Sequence, residues 1–435
     1  MQLELPNIAR VSSLVGAPIL SMLVCIFVAA GCTTAPRVQA TPSEQVSTAK
    51  PDASPSANAT STLTETPGFV DIRDSLPPGA HVAYWQGDTW HLQGLDGSDA
   101  LDLMPGITGP LRPELQLSPD GNLVAFSSGP GELSTYDFRT GQLTSFPNAD
   151  VSGIFSIQWA PDGNTLYYLG TPDEFPIYDG NMSLFAVTLA THSLSTMIGW
   201  RDAHFPYGIK SLRISNDGQW LAFEAPRNSE IGSEDPEYAI YLVDPACLEG
   251  QGICPRSVQL VGTGENPTWS MDGKLGWVCS ENGGSALCVF DSYDPTVAPR
   301  VFLTAGDLKP GANARLLDFT WSPDGITLAV TVRSDGPSNP QQIPIERFLV
   351  SESGAAPINL SEGSDKDEWW EGWSRDGRYL AFVRAGSENT EPYGELGLRS
   401  RITTIHVYDV QTGEQFDLAD SPGLRQVFDF FLSRH

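Results

Sequence analysis

The chain is poor in the groups that carry most protein chemistry. Six histidines, His81, His91, His192, His204, His406 and His435, are scattered over 435 residues, and none forms an H-E-x-x-H pair. There is no phosphate-cradling P-loop, no dinucleotide fingerprint and no G-x-S-x-G nucleophile elbow. The sequence therefore carries no catalytic or cofactor signature. Positive charge is also scarce: 25 Lys and Arg stand against 53 Asp and Glu, a net charge of −28. Such a field repels nucleic-acid phosphates and anionic headgroups, which excludes nucleic acid as a partner, and it favours cationic or basic ones. The same excess keeps an exported protein soluble.

Cysteine is sparse too. Cys25 and Cys32 lie near the N-terminus, which leaves Cys247, Cys254, Cys279 and Cys288. An even number in an exported domain points to disulfides, and the spacings favour two local bridges, Cys247–Cys254 and Cys279–Cys288. Metal binding competes with this reading, but no C-x-x-C pair or neighbouring histidine supports it.

What the N-terminus does contain is a targeting signal. Arg10 ends a short n-region, and Val11 to Ala30 is an almost uncharged apolar run that leads into the ending Ala29-Ala30-Gly31-Cys32. This ending resembles the lipobox of bacterial lipoproteins, with Ala29 where that family prefers Leu. The resemblance implies cleavage after residue 31 and lipid attachment at Cys32. A plain membrane anchor is the competing reading, since the run is long enough to span. From Thr33 to about Gly68 the chain is Thr, Ser, Pro and Ala with almost no large apolar residue. It cannot offset its ordering entropy by burial, so residues 32–68 read as a disordered tether with a mean reach of about 30–40 Å.

The rest, residues 69–435, is organised around one repeated phrase. It occurs as LSPDGNLVAF from Leu117, WAPDGNTLYYL from Trp159, ISNDGQWLAF from Ile214, WSMDGKLGWV from Trp269, WSPDGITLAV from Trp321 and WSRDGRYLAF from Trp373. Each reads as a strand, a tight turn and an alternating apolar strand, with Asp bonding nearby backbone and Gly taking the left-handed conformation. The turn glycines are Gly121, Gly163, Gly218, Gly273, Gly325 and Gly377, at intervals of 42, 55, 55, 52 and 52 residues. Short strands repeating at this period predict an all-β protein, a β-propeller. These repeats resemble the TolB-type propeller repeat, also found beside the hydrolase domain of the prolyl oligopeptidase and dipeptidyl peptidase IV family. The resemblance implies fold. It brings no peptidase residue, because neither the elbow nor room for an α/β domain is present.

His81 to Trp85, Thr89 to Gln93 and Ala100 to Met104 read as strands without a preceding hairpin. Val427 to Ser433 matches the register of Leu316 to Ser322. The C-terminal strand is therefore expected to complete the N-terminal blade, giving seven blades, with six or eight as alternatives. The Trp residues before the turns read as packing, and the repeated aspartates as turn formers.

Long loops fall on the face opposite the tight turns, the usual place for a site on a rigid ring. Two inter-blade loops are chemically rich. GWRDAHFPYGIK, Gly199 to Lys210, offers Arg201, Asp202, His204, Tyr207 and Lys210, with Arg201, His204 and Tyr207 as the leading candidates. EGSDKDEWWE, Glu362 to Glu371, offers Asp365, Asp367, Glu368, Trp369 and Trp370. Carboxylates and indole faces at a channel mouth suit a sugar, a peptide or a cation, whereas inter-blade packing of Trp369 is the plainer reading. The expected function is an extracytoplasmic, lipid-anchored binding scaffold with a protein or small-molecule partner at the channel mouth and no cofactor. An envelope enzyme directed at glycans or peptides is the alternative.

Overall fold

The computed structural model describes residues 80–86, 89–95, 101–104, 115–171, 182–199, 205, 208–227, 237–248, 258–281, 283–291, 297–310, 313–334, 345–361, 368–385, 392–393, 398–399, 402–422 and 424–432. All belong to one compact unit, Leu63–His435. The expected signal peptide, Cys32 and the tether lie outside the described residues.

Six four-stranded antiparallel blades are each built from strands taken in chain order, those of blade VI interrupted by a small two-stranded ladder. Their inner strands are Leu115–Leu117, Gly153–Trp159, Lys210–Ile214, Glu265–Trp269, Ala314–Trp321 and Glu368–Trp373. We number these blades I to VI. A further four-stranded sheet, the closing blade, unites both ends of the chain: Leu101–Asp102, Thr89–Gly94, Ala80–Gln86 and, innermost, Leu424–Leu432. His81 pairs with Phe431 and Tyr84 with Val427, so the C-terminal strand joins the N-terminal strands in one blade, as expected. The C-terminal strand packs against the inner strands of blades VI and I, so the ring has no free inner edge. Between the second and third strands of blade VI, Pro392–Tyr393 pairs with Leu398–Arg399 in a small ladder.

The repeated phrase folds as its chemistry demands. All six turn glycines have φ between +67° and +86°, a region that only glycine adopts without steric cost. The turn serine does more than the sequence suggests. Ser118, Ser215, Ser322 and Ser374 each donate to the Asp two positions on and accept the backbone N–H five positions on. The hydroxyl thus fixes both sides of the hairpin. These bonds are why Asp120 is held below the ordinary carboxylate range: burial works against its charge, and Ser118 and Asn122 outweigh it.

The core lies between blades. Trp159, Trp269, Trp321 and Trp373 are buried, as expected for packing residues. Leu287, Val289, Phe319, Trp321, Val330 and Phe348 join blades IV and V in one cluster. Each blade is apolar on both faces, so burial on this pattern holds only while the ring is closed. Cys279 and Cys288 form the expected disulfide, with Cα atoms 5.8 Å apart. Cys279 faces Ala286 and Trp277 faces Cys288, so the two cysteines are diagonal across the hairpin rather than directly opposed. Cys254 lies outside the described residues, and with it the expected Cys247–Cys254 bridge.

Candidate functional site

Of the residues singled out in the sequence, Arg201, His204, Tyr207, Asp365 and Asp367 lie outside the described residues. Glu368, Trp369 and Trp370 are described in their backbone alone, as the start of the inner strand of blade VI. Parts of the first loop are held firmly. Phe205 is 3% exposed and packs edge-on against Phe223 and Tyr241, with ring centroids 5.0 and 5.2 Å away. Gly208, at φ +75°, donates to the Phe205 carbonyl at 3.0 Å and turns the chain into the inner strand.

The inner strands share a feature that hydropathy does not announce. Each of those of blades II to VI carries a register shift near its start, between Phe155 and Gln158, Lys210 and Arg213, Glu265 and Thr268, Leu316 and Asp318, and Trp369 and Glu371. The C-terminal strand does the same opposite Val82 and Ala83. Ser156, Ser211 and Asn266 have φ values of 50°, 55° and 56°, each three residues before the Trp or Ile that ends its strand. Left-handed backbone in such residues costs about 1 kcal/mol or more, and bulges re-aim side chains next to sites. Asp318 and Trp370 hold the same position in blades V and VI. A polar residue or Trp three places before the strand end was the available signal in the sequence.

These bulges bring polar groups of blades III, IV and V together at the axis. Glu224, fully buried, accepts the Asn266 N–H at 2.7 Å and pairs with Lys210 Nζ at 3.0 Å. The same ammonium lies 3.6 Å from the centroid of the Tyr238 ring. Burial works against the Lys210 charge, but Glu224 outweighs it and raises the pKa above the ordinary lysine value. Asn266 Nδ2 then reaches the bulged backbone of blade V, donating to the Leu317 carbonyl at 3.0 Å.

Asp318 follows Leu317 on that wall. Its surface admits water, but the surrounding protein leaves it little bulk solvent. This confinement pushes its carboxyl above the ordinary range, against the opposing pull of the Phe319 N–H, Arg213 and Arg347, while Glu224 adds to the rise. Asp318 Oδ1 accepts the Phe319 N–H at 2.8 Å. Arg213 donates from Nη1 to the Leu212 carbonyl at 2.8 Å. Among the described residues, Asp318 Oδ2 and the remaining guanidinium N–H groups of Arg213 are uncommitted. The wall thus offers an acceptor and a donor fork on different blades, within electrostatic reach of each other. No group of three or more His, Cys, Asp or Glu residues suited to a metal occurs among the described residues.

No protein-family model matches the chain, and no curated protein matches it. Solved structures do. One is a prolyl endopeptidase from a study of inter-domain dynamics in catalysis and specificity, at 15% identity and TM-score 0.52, covering 78% of this chain and 47% of that one. Another is the Pyrococcus horikoshii acylaminoacyl peptidase, at 14% identity and TM-score 0.50, covering 79% of this chain and 50% of that one. A putative TolB from Agrobacterium tumefaciens matches at 18% identity and TM-score 0.42, over 67% of this chain and 88% of that one. The chain spans about half the length of the two peptidases. At such identities the likeness bears on fold alone.

Proposed function

We propose that the protein is an exported, lipid-anchored propeller that acts as a binding scaffold, taking a protein or small-molecule partner where the long-loop rim meets the channel. One observation carries the reading: Asp318 and Arg213 stand on the channel wall with hydrogen-bonding capacity that packing does not use. Polar groups held in a confined, concave wall favour a bound ligand over bulk water. Arg201, His204, Tyr207, Asp365, Asp367, Glu368, Trp369 and Trp370 complete this rim in the proposal, since both their loops lead into inner strands. Lipid attachment at Cys32 and an extracytoplasmic location fit the Cys279–Cys288 disulfide, a bond typical of oxidising compartments.

Site-specific photo-crosslinking in the exporting host tests this. A crosslinker at Thr320, on the inner strand of blade V, should capture a partner that the Asp367→Ala/Trp370→Ala variant captures poorly. A crosslinker at Ile326, on the tight-turn face, should not. Capture from Ile326 alone would move the site to the other face. The alternative, an envelope enzyme acting on glycans or peptides, draws on the raised pKa of Asp318, a property of general acids. Turnover abolished by Asp318→Asn would select it.

A further inference from the structure

Blade V carries a second constellation, at the long-loop end of its inner hairpin. Arg315 on the inner strand lies directly opposite Arg333 on the second strand. Like charges so placed repel, yet neither residue has a hydrogen-bond or ion-pair partner among the described residues. Arg315 is exposed, and Arg333 is half-buried with its Nε removed from solvent. This is unusual in a chain with 53 acidic residues for 25 basic ones. Several other cations have found carboxylates: Arg139 pairs with Asp137, Lys210 with Glu224, Arg300 with Asp291, Lys309 with Glu346 and Arg378 with Asp409. Arg213, Arg375 and Arg384 donate instead to backbone carbonyls.

The two guanidinium groups face the cleft between blades V and VI. Along the second strand, Ala329, Thr331 and Arg333 alternate onto one face. Ala329 packs in the cluster that contains Trp373, Leu380 and Phe382 of blade VI. Arg347, opposite Thr331, extends its guanidinium to 5.7 Å from the Phe382 ring centroid. From blade VI, Arg384 lies 5.7 Å from the same ring and donates to the Leu360 carbonyl at 3.4 Å. The cleft is apolar toward the tight turns and cationic toward the long loops, and Asp318 is the carboxylate on the paired strands of the blade V hairpin.

We infer that Arg315 and Arg333 form an oxyanion site, recognising a carboxylate or phosphate group on a ligand or partner. Two planar donor forks on adjacent strands match the paired oxygens of such groups. The unrelieved repulsion between them is what an anion would remove. This local preference is the reverse of that of the molecule as a whole: net charge lowers the general affinity for anions, so a site of this kind selects by geometry rather than by long-range attraction. The inference does not depend on the proposed channel site, whose residues it does not share.

The test is calorimetric titration of the full chain in detergent with inorganic phosphate and, separately, citrate, at constant ionic strength. Saturable binding of at least one anion is expected, weakened at least tenfold in Arg315→Gln/Arg333→Gln. Binding of phosphate alone would identify a phosphorylated ligand, and of citrate alone a carboxylated one. The Arg315→Lys/Arg333→Lys variant should bind more weakly than wild type, because it keeps the charge without the fork. The ligand-free Gln variant should melt at or above the wild-type temperature, as repulsion is relieved. No saturable binding, binding unchanged in the Gln variant, or a lower melting temperature for that variant would overturn the assignment.

Discussion

Arg375 donates from Nη2 to the carbonyl oxygen of Ser118 at 3.0 Å, joining two tight turns that are 257 residues apart. Elsewhere on this face, neighbouring turns touch directly. A Cβ on Gly218 would lie 3.1 Å from Pro161, and Asn216 Nδ2 donates to the Ser270 carbonyl at 2.8 Å. Between blades VI and I stands the closing blade, whose inner strand, Leu424–Leu432, pairs with Ala80–Gln86, a strand remote in sequence that no tight turn joins to it. A proline such as Pro323 has no reach across that interval, and the long side chain at 375 does. Replacing Arg375 with Pro, the residue at this place in three other repeats, should preserve the turn. It should cost about 1–2 kcal/mol, the range for a charge-assisted bond that is partly exposed. Thermal unfolding of Arg375→Pro beside Arg375→Lys checks this; an unchanged midpoint for both would show the contact to be incidental.

Deleting residues from Val427 onward removes most of the strand that pairs with Ala80–Gln86. Apolar faces of blades VI and I lose their cover and two strand edges open. The truncated protein should aggregate or unfold cooperatively at a much lower temperature, which light scattering and circular dichroism would record. Melting like that of the intact chain would refute closure by this strand.

Converting Cys279 and Cys288 to Ser should lower stability by about 2–3 kcal/mol, the chain-entropy value for so short a loop. Peptide mapping without reductant should return the Cys279–Cys288 bridge seen in the structure. The expected Cys247–Cys254 bridge would appear as a second linked peptide. Four free thiols in the exported protein would count against both the bridges and the oxidising compartment.

The raised pKa of Asp318 gives a pH signature. Its folded value lies above the unfolded value, so the folded state holds the proton more tightly. Above the folded pKa the ionised group lowers stability, and that penalty disappears as pH falls toward the ordinary carboxylate value near pH 4. Asp318→Asn should therefore be more stable than wild type at neutral pH, with the two curves converging in acid. Asp120 shifts the opposite way and contributes stability that is lost as pH falls from the ordinary carboxylate value through its lowered one. A constant difference between Asp318→Asn and wild type across the range would contradict the confinement of this carboxyl.

Changing Cys32 to Ser should leave the propeller folded and shift the protein from the membrane fraction to the soluble exported fraction, or leave it uncleaved. Wild-type processing and membrane association in this variant would remove the lipid anchor from the proposal.

The sequence alone determined the parts of this molecule that are local or repeated. A Ser-x-Asp-Gly turn is specified by its own four residues, through one hydroxyl, one carboxylate and one left-handed glycine. Six such turns, five with Ser and one with Ala160 in its place, at blade-length intervals specify a ring, and the match of Val427 to Ser433 with Leu316 to Ser322 specified how the ends meet. Even the Cys279–Cys288 bridge needed only a hairpin. Tertiary structure decided which polar groups share space. Arg213, Asn266 and Asp318 belong to different repeats, and only the closed ring brings them to one wall. Arg315 meets Arg333 because of the bulge at Leu317. The pairs Trp321–Leu328 through Asp318–Thr331 run in one register, and after the bulge Leu316 faces Val332 and Arg315 faces Arg333. An unbroken ladder would set Arg315 against Ser334. A bulge reflects backbone strain balanced against contacts from the next blade, such as Asn266 on the Leu317 carbonyl, and alternation within one strand carries no record of that balance.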